Sequence, residues 1–228
     1  AAFGASSIFF FAQRTQVAPA YKTALCLAGL VCLIAFYHYL RMFESFNDAY
    51  KFISGEIITT GTQFNISYRY VGWLLTVPLL LLEFILVMRI DKKETYIKGI
   101  KLVLAAILMV MLGYPGEDLF DSNQMSIRWK YWAMAMIPFL YILHILLIDL
   151  RSAINLQPKN VQGLFRNARG LLIFSWACYP IIYLLPMIQL EISHLIIQIG
   201  YTFADLLSIS VFGVLIYIIA QRKSDAGA

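Results

Sequence analysis

The chain has 228 residues, of which 61% are hydrophobic and 14% are charged, and its net charge is +5. Leucine, isoleucine and phenylalanine stand in long runs, several of which approach the ~20 residues that a helix needs to cross a bilayer, so the composition argues against a water-soluble protein. The sequence has no group with metal-ligand spacing, no glycine-rich phosphate loop and no Cys/His nucleophile pair, so we expect neither a metal site nor an enzyme.

The apolar runs predict an all-α membrane protein with seven transmembrane helices in one domain, residues 1–228. The first run, residues 8–12, is too short to span a bilayer, so we expect the first helix to be truncated at its N-terminal end. The polar segment 44–67 contains Gly55 and Gly61 and predicts a connection with a β-hairpin between helices two and three. The other helices are predicted at residues 20–42, 68–88, 97–114, 127–150, 161–185 and 201–222.

The basic residues are unevenly divided between the two sides of this predicted bundle. One side carries only Arg41, Lys51, Arg128 and Lys130. The other side holds Arg14, Lys22, Arg89, Lys92, Lys93, Lys98, Lys101, Arg151, Lys159, Arg166, Arg169, Arg222 and Lys223. Because loops rich in lysine and arginine stay in the cytoplasm, we expect the N-terminus outside and the C-terminus in the cytoplasm. This asymmetry accounts for the net charge, so no nucleic acid partner is expected.

Arg69, Glu83 and Asp205 are ionisable residues within predicted spans, where a bundle tolerates such residues only if they face inward and are paired or hydrated. Arg69 and Asp205 both lie near the extracellular ends of their helices, with Asp205 about one turn into its own, and we expect an ion pair between them. Glu83 lies near the other end of its helix, where a carboxylate that snorkels to the surface is an alternative to a functional group.

The third helix reads RYVGWLLTVPLLLLE from Arg69 to Glu83 and is similar to the proton-pump motif RYxDWLLTxPLLxxE of proteorhodopsins and xanthorhodopsins. The seventh helix begins YTFAD at residue 201 and resembles the seventh helix of the microbial rhodopsins. The resemblance covers all seven helices and implies a protein that binds retinal. In this chain, Gly72 stands at the position where that family has its counterion aspartate. Ile209 stands at the position where that family has the lysine that carries retinal. Glu83 matches the cytoplasmic proton donor.

The sixth helix places aromatic side chains on one face in the order W-A-C-Y-P-I-I-Y from residue 176. Such spacing is often ordinary core packing, but it also resembles the wall that grips the retinal polyene. The cofactor-binding residues that the resemblance implies are Trp73, Thr76, Met109, Gly113, Trp132, Phe139, Trp176, Tyr179, Pro180, Tyr183, Asp205 and Ile209. Members that bind a carotenoid antenna have glycine at the position of Trp132, so no carotenoid partner is expected.

The resemblance also implies an ion pathway through His38, Arg69, Gly72, Glu83 and Asp205. His38 matches a histidine that bonds the aspartate of helix three, and with glycine at position 72 that partner is missing. We therefore expect His38 to be a buried neutral side chain that is bonded to backbone or water.

The two departures from the family are consistent with each other. An isoleucine side chain cannot form an imine with the retinal aldehyde, and the lysines of the chain lie at loops or helix ends. Without the positively charged imine that a lysine would form with retinal, an aspartate at position 72 would be a buried and partly unpaired charge. Glycine at this position avoids the free-energy cost of burying that charge.

The sequence therefore predicts a rhodopsin-family protein with a retinal-shaped pocket that binds retinal or a similar apolar ligand without a covalent bond, or that has a sensory or partner role. A light-driven proton pump or photosensor remains open and would require a modified lysine at position 209. A structural membrane protein with a vestigial pocket also remains open. We expect a multi-pass protein of a prokaryotic plasma membrane, and the resemblance implies a homo-oligomer.

Overall fold

The structure, a computed structural model, describes residues 1–53, 56–118, 125–188 and 194–227. Within these ranges the chain forms seven membrane helices and one small hairpin, as predicted. Neighbouring helices in the chain pack against each other, and the seventh membrane helix returns to contact the first and closes the bundle. The α-helical segments are α1 (Ala2–Gln13), α2 (Lys22–Ala49), α3 (Ser67–Met88), α4 (Lys92–Asp118), α5 (Met125–His144), α6 (Leu150–Asn155), α7 (Lys159–Leu184), α8 (His194–Asp205) and α9 (Phe212–Asp225).

Two membrane helices contain a π-helical segment, which the sequence pattern did not reveal. Ile145–Asp149 joins α5 to α6 in the fifth membrane helix, and Leu206–Val211 joins α8 to α9 in the seventh. Segments of this kind are rare and are found mostly as single turns at functional sites. Ile209 lies in the second of them. Because α8 begins at His194, Asp205 lies about three turns into the seventh helix, and the expected depth of one turn is wrong.

The predicted hairpin lies between α2 and α3. Strands β1 (Tyr50–Ile53) and β2 (Glu56–Thr59) are antiparallel, with Tyr50 opposite Thr59 and Ile53 opposite Glu56. The predicted Gly55 lies outside the described residues, whereas Gly61 follows β2 with φ of 94°, a left-handed conformation that glycine adopts without strain. The hairpin therefore lies at the end of the bundle at which α2 ends and α3 begins.

Among the described residues, five helical stretches are long and apolar enough to cross a membrane by length and composition. They are Pro19–Ala49, Ser67–Met88, Lys92–Glu117, Met125–Asn155 and Leu195–Asp225. Large apolar side chains also cover the outside of the bundle, and Ile137 is 71% exposed. Apolar residues on the outer as well as the inner face suit helices that contact lipid.

Packing differs between the two halves of the interior. Towards the end where α3 and α9 terminate, Phe84 lies 6.2 Å from Phe165 and 5.9 Å from Phe212 between ring centroids, and all three side chains are fully buried. In the other half, residues of α3, α4, α5, α7 and α8, many of them aromatic, surround open space. The fold therefore places its candidate site in the half that faces the hairpin.

Candidate functional site

An apolar cavity of about 100 Å³ lies between α3, α4, α5, α7 and α8, and we call it the aromatic cavity. Trp73 lines it, and its ring centroid lies 5.0 Å from that of Tyr179 and 5.4 Å from that of Tyr201. Nine of the predicted cofactor-binding residues line it: Trp73, Met109, Gly113, Trp132, Phe139, Trp176, Tyr179, Pro180 and Tyr183. The sequence reasoning missed Tyr70, Val77, Val110, Ala135, Met136 and Tyr201.

Trp132 is held in place at the wall of the aromatic cavity. Its Nε1 donates a hydrogen bond to the carbonyl oxygen of Pro180 at 3.2 Å, and its ring lies 5.8 Å from that of Trp129. The hydrogen bond gives the polar end of the indole a partner and leaves the ring against the cavity. The expected absence of a carotenoid stays a prediction, and this anchored indole is its physical basis.

The second part of the site is a small cavity of about 10 Å³ between α2, α3 and the seventh membrane helix. It gathers Thr76, Asp205 and Ile209, the three predicted cofactor-binding residues that do not line the aromatic cavity. Trp73 lines both cavities. The remaining lining residues are Ala35, His38, Tyr39, Met42, Arg69 and Gly72. The small cavity therefore also holds all the predicted pathway residues except Glu83.

Asp205 accepts hydrogen bonds from three neutral donors. Tyr39 Oη reaches Oδ2 at 2.6 Å, Tyr179 Oη reaches Oδ1 at 2.6 Å, and Trp73 Nε1 reaches Oδ1 at 2.9 Å. The side chain is buried, and Ser208 extends the network because its Oγ lies 3.0 Å from Tyr179 Oη. A carboxylate with three donors is stabilised in its charged form without a cation in contact.

The expected ion pair between Arg69 and Asp205 is wrong. Among the described residues, the ion pairs within 4.0 Å involve other side chains. Arg69 Nη1 instead donates to Gln198 Oε1 at 2.5 Å, and the guanidinium lies 4.9 Å from the ring centre of Tyr201. The tyrosine and tryptophan donors occupy the carboxylate oxygens, so the arginine is left to the neighbouring amide and aromatic face.

Gly72 and His38 are in close contact. A Cβ atom added at Gly72 would lie 3.3 Å from both Cβ and Cγ of His38, which is tighter than ordinary van der Waals contact. His38 is buried, as expected; its ring interacts with the backbone of Tyr68, and Nδ1 has no hydrogen-bond partner in the described part of the chain. Thr76 Oγ1 donates to the carbonyl oxygen of Gly72 at 2.9 Å. A side chain at position 72 would therefore contact His38 of α2.

Glu83 lies apart from both cavities. Its side chain is 0% exposed, and neither carboxylate oxygen has a hydrogen-bond partner within the described ranges. A snorkelling carboxylate would be at least partly exposed, so that alternative is wrong. Glu83 is thus a buried carboxyl group surrounded by apolar packing.

A third acidic residue belongs to the site and was missed in the sequence. Glu117 is 7% exposed and accepts hydrogen bonds from Tyr70 Oη at 2.5 Å and Tyr201 Oη at 3.0 Å. The prediction ended the fourth helix at Tyr114 and so placed Glu117 in a loop, whereas α4 continues to Asp118. Tyr70 and Tyr201 both line the aromatic cavity, so Glu117 fixes two of its walls.

The residues of the two cavities fit the polyene of the retinal that the resemblance implies, but they do not fit its covalent attachment. The aromatic cavity is apolar and lined by indole and phenol rings, which suits a polyene. The covalent attachment has no candidate, because Ile209 is a buried aliphatic side chain and no lysine lines either cavity among the described residues. The residues that line the two cavities therefore support no chemical step on a covalently bound retinal.

Comparison with known proteins places the chain in a family. The pattern that describes bacteriorhodopsin-like proteins matches residues 1–222. The green-light absorbing proteorhodopsin of Gamma-proteobacterium EBAC31A08 is 31% identical over 226 residues, which are 98% of this chain and 84% of the relative. Xanthorhodopsin, described as a light-driven ion pump with dual chromophore, has a crystal structure that matches with a TM-score of 0.91 at 42% identity over 99% of this chain and 90% of that one. A thermophilic rhodopsin matches with a TM-score of 0.92 at 42% identity over 100% and 91%. The chain therefore belongs to the bacteriorhodopsin-like family and is a multi-pass membrane protein of the microbial rhodopsin type.

Proposed function

We propose that this microbial rhodopsin holds retinal, or an apolar ligand of similar shape, in its aromatic cavity without a covalent bond. The observation that carries the proposal is the composition of the small cavity. Ile209 lines it as an aliphatic side chain beside Asp205, whose oxygens already accept hydrogen bonds from Tyr39, Trp73 and Tyr179. A site arranged around neutral donors needs no cation on its ligand.

The charges of the residues that line the small cavity also support binding without a covalent bond. A cation bound at position 209 would be buried and would need a negative partner in contact. Gly72 supplies none, and Asp205 is its nearest carboxylate among the residues that line the cavity. The replacement of lysine by isoleucine and of aspartate by glycine removes one charge of each sign, so the site stays balanced.

Trp73 and Tyr179 would connect a ligand in the aromatic cavity to Asp205. Trp73 lines both cavities, and Tyr179 lines the aromatic cavity with its ring while its hydroxyl bonds Asp205. A ligand that contacts these two rings contacts the groups that hold Asp205. This arrangement supports a binding or sensory role in which occupancy is transmitted to Asp205, and it assigns no catalytic residue.

A light-driven proton pump or photosensor with covalent retinal is the second candidate function. Two buried groups favour it, since Glu83 and Thr76 stand at the family's positions on α3, and the named relatives include a light-driven ion pump. It requires an amine at position 209, which would attach retinal covalently and would supply the nitrogen that carries a proton.

Intact-mass analysis separates the two candidates. Protein purified with all-trans retinal is treated with borohydride, with Ile209→Lys as the positive control and Ile209→Met as the control of similar volume. We expect the mass of one reduced retinal on Ile209→Lys alone. Retinal should quench the tryptophan fluorescence of the unaltered protein and should leave on solvent extraction after acid denaturation. A reduced adduct on the unaltered protein would favour the pump, and absence of both adduct and quenching would indicate a vestigial pocket.

A further inference from the structure

A cavity of about 560 Å³ opens at the ends of the fifth and sixth membrane helices, far from the aromatic cavity, and we call it the arginine cavity. It is lined by Leu147, Arg151, Ile154, Asn155, Arg166 and Arg169. Leu147, Arg151 and Asn155 are four residues apart and lie on one exposed face of the fifth helix. The arrangement brings three guanidinium groups to one opening on the side that the distribution of basic residues assigns to the cytoplasm.

The positive charge of these arginines is not balanced within the described residues. None of the three belongs to an ion pair there, and Asp149, an acid nearby in sequence, lies 3.7 Å from His144 instead. Their hydrogen bonds are long. Arg166 Nη2 lies 3.4 Å from Gln162 Oε1, and Arg169 Nη1 lies 3.5 Å from the carbonyl oxygens of Leu146 and Leu147. Each guanidinium therefore keeps N–H donors for an external anion.

The surface beside the arginine cavity is apolar and exposed. Ile148 is 60% exposed on the fifth helix and Phe174 is 62% exposed on α7, one to two turns from the arginines. Gly170 adds room, because a Cβ atom there would meet nothing within 4 Å. An occupant that satisfies both parts of this surface carries an anionic group and hydrocarbon together.

We propose that the arginine cavity binds the phosphodiester headgroup of an anionic phospholipid from the cytoplasmic leaflet, with the acyl chains along Ile148 and Phe174. Guanidinium groups bind phosphate oxygens through paired N–H donors, and basic pockets between membrane helices on the cytoplasmic side are suited to anionic headgroups. Arg166 and Arg169 approach from α7 and Arg151 approaches from α6, so the lipid joins the fifth and sixth membrane helices.

Native mass spectrometry of the purified chain with phosphatidylglycerol or phosphatidylcholine tests the proposal. We expect phosphatidylglycerol to be retained, and the double variant Arg166→Gln with Arg169→Gln to weaken its binding about tenfold or more, since both changes remove hydrogen bonds between a charged guanidinium and the phosphate. Arg222→Gln is the matched control, because Arg222 is an exposed arginine at the same end that does not line the cavity.

The outcomes distinguish a lipid held in the cavity from attraction by bulk charge and from a soluble anion. Equal loss of phosphatidylglycerol in the Arg222→Gln control would attribute binding to bulk charge and overturn the proposal. Equal retention of phosphatidylcholine would do the same, because that headgroup carries no net charge. Displacement of phosphatidylglycerol by millimolar inorganic phosphate would assign the cavity to a soluble anion. Correct folding of the double variant is checked by its thermal midpoint without added lipid.

Discussion

Asp205 shows that a buried carboxylate in this family can be held entirely by neutral side chains. Tyr39, Trp73 and Tyr179 come from three different helices and meet at its two oxygens. Each hydrogen bond to a charged group contributes about 1.5–3 kcal/mol, so the three together offset much of the cost of burial. The carboxylate is therefore a structural centre of the bundle as well as the remaining acid of the small cavity.

Restoring the lysine tests the assignment of position 72. Ile209→Lys should form a visible band with retinal, since the aromatic cavity is retained. An opposite charge within about 4–6 Å favours a protonated nitrogen, and the single variant has only Asp205, which is shared among three donors. We expect the band to be lost at a lower pH than in the double variant Ile209→Lys with Gly72→Asp. The measurement is a titration of the visible band, and equal midpoints would refute position 72 as the vacated counterion site.

Because the proposed function requires no proton donor, replacement of Glu83 should stabilise the protein. Both oxygens of this carboxyl group are buried without a partner in the described ranges, and an unsatisfied buried polar group costs about 1–3 kcal/mol. Glu83→Leu should therefore raise the thermal midpoint in detergent. Glu94→Leu is the control, since Glu94 has an exposed side chain paired with Lys98. A lower midpoint for Glu83→Leu would reveal a partner, such as an internal water, that stabilises the carboxyl group.

Sequence reasoning found nine of the residues that line the aromatic cavity and did not predict which side chains hydrogen-bond to Asp205. Periodicity placed Trp176, Tyr179 and Tyr183 on one wall, and the structure agrees. Sequence reasoning paired Asp205 with Arg69 and did not consider Tyr39, although both side chains line the small cavity from different helices. The direction of a side chain in a membrane bundle depends on the packing of its neighbours, and that information is not local in sequence.

At the scale of elements, apolar runs located the helices and underestimated their length. α2 was predicted to end at Met42 and continues to Ala49, and α4 begins at Lys92 rather than at Ile97. Hydropathy detects only the part of a helix that suits hydrocarbon, whereas the polar ends continue into the interface. The π-helical segments Ile145–Asp149 and Leu206–Val211 leave no mark in composition, since they change the hydrogen-bond pattern and not the residue types.

Replacement of two helical glycines by alanine should change the stability of the protein in opposite directions. A Cβ atom at Gly116 of α4 would overlap Tyr183 Oη and lie 2.7 Å from Tyr131 Cβ, whereas Gly170 of α7 faces open space. Gly170→Ala should stabilise by about 0.5–1 kcal/mol, because alanine loses less backbone freedom in a helix. Gly116→Ala should destabilise and should also shift Tyr183 at the aromatic cavity. Thermal midpoints check both, and a stabilising Gly116→Ala would contradict the close packing of α4 against α7.

At the scale of the whole molecule, the two ends of the bundle differ in charge and in structure. The hairpin and Glu117 lie at one end, and the arginine cavity and Lys223 lie at the other. Lys223 is buried and donates to the carbonyl oxygens of Val87 and Met88, each at 3.2 Å, so α9 closes the end of α3 there. The predicted homo-oligomer stays a prediction, since the structure contains one chain.

Labelling from each side of the membrane should reveal this polarity. Gln63 and Ala226 are exposed at opposite ends, so a cysteine at either position is accessible to an impermeant reagent on one side only. We expect Gln63→Cys to react from outside intact cells and Ala226→Cys to react only after lysis, because the basic side stays cytoplasmic. The unaltered protein, with Cys26, Cys32 and Cys178, measures the background. The reverse pattern would invert the assigned topology.

The contact between His38 and Gly72 makes two positions of the small cavity unequal as sites for substitution. A Cβ atom at position 72 would lie 3.3 Å from Cβ and Cγ of His38, so a side chain there requires the imidazole to move by a few tenths of an ångström. Ile209 already carries a long side chain that lines the small cavity together with Asp205. A lysine at position 209 is therefore accommodated by itself, whereas an aspartate at position 72 is accommodated only with a shift of His38.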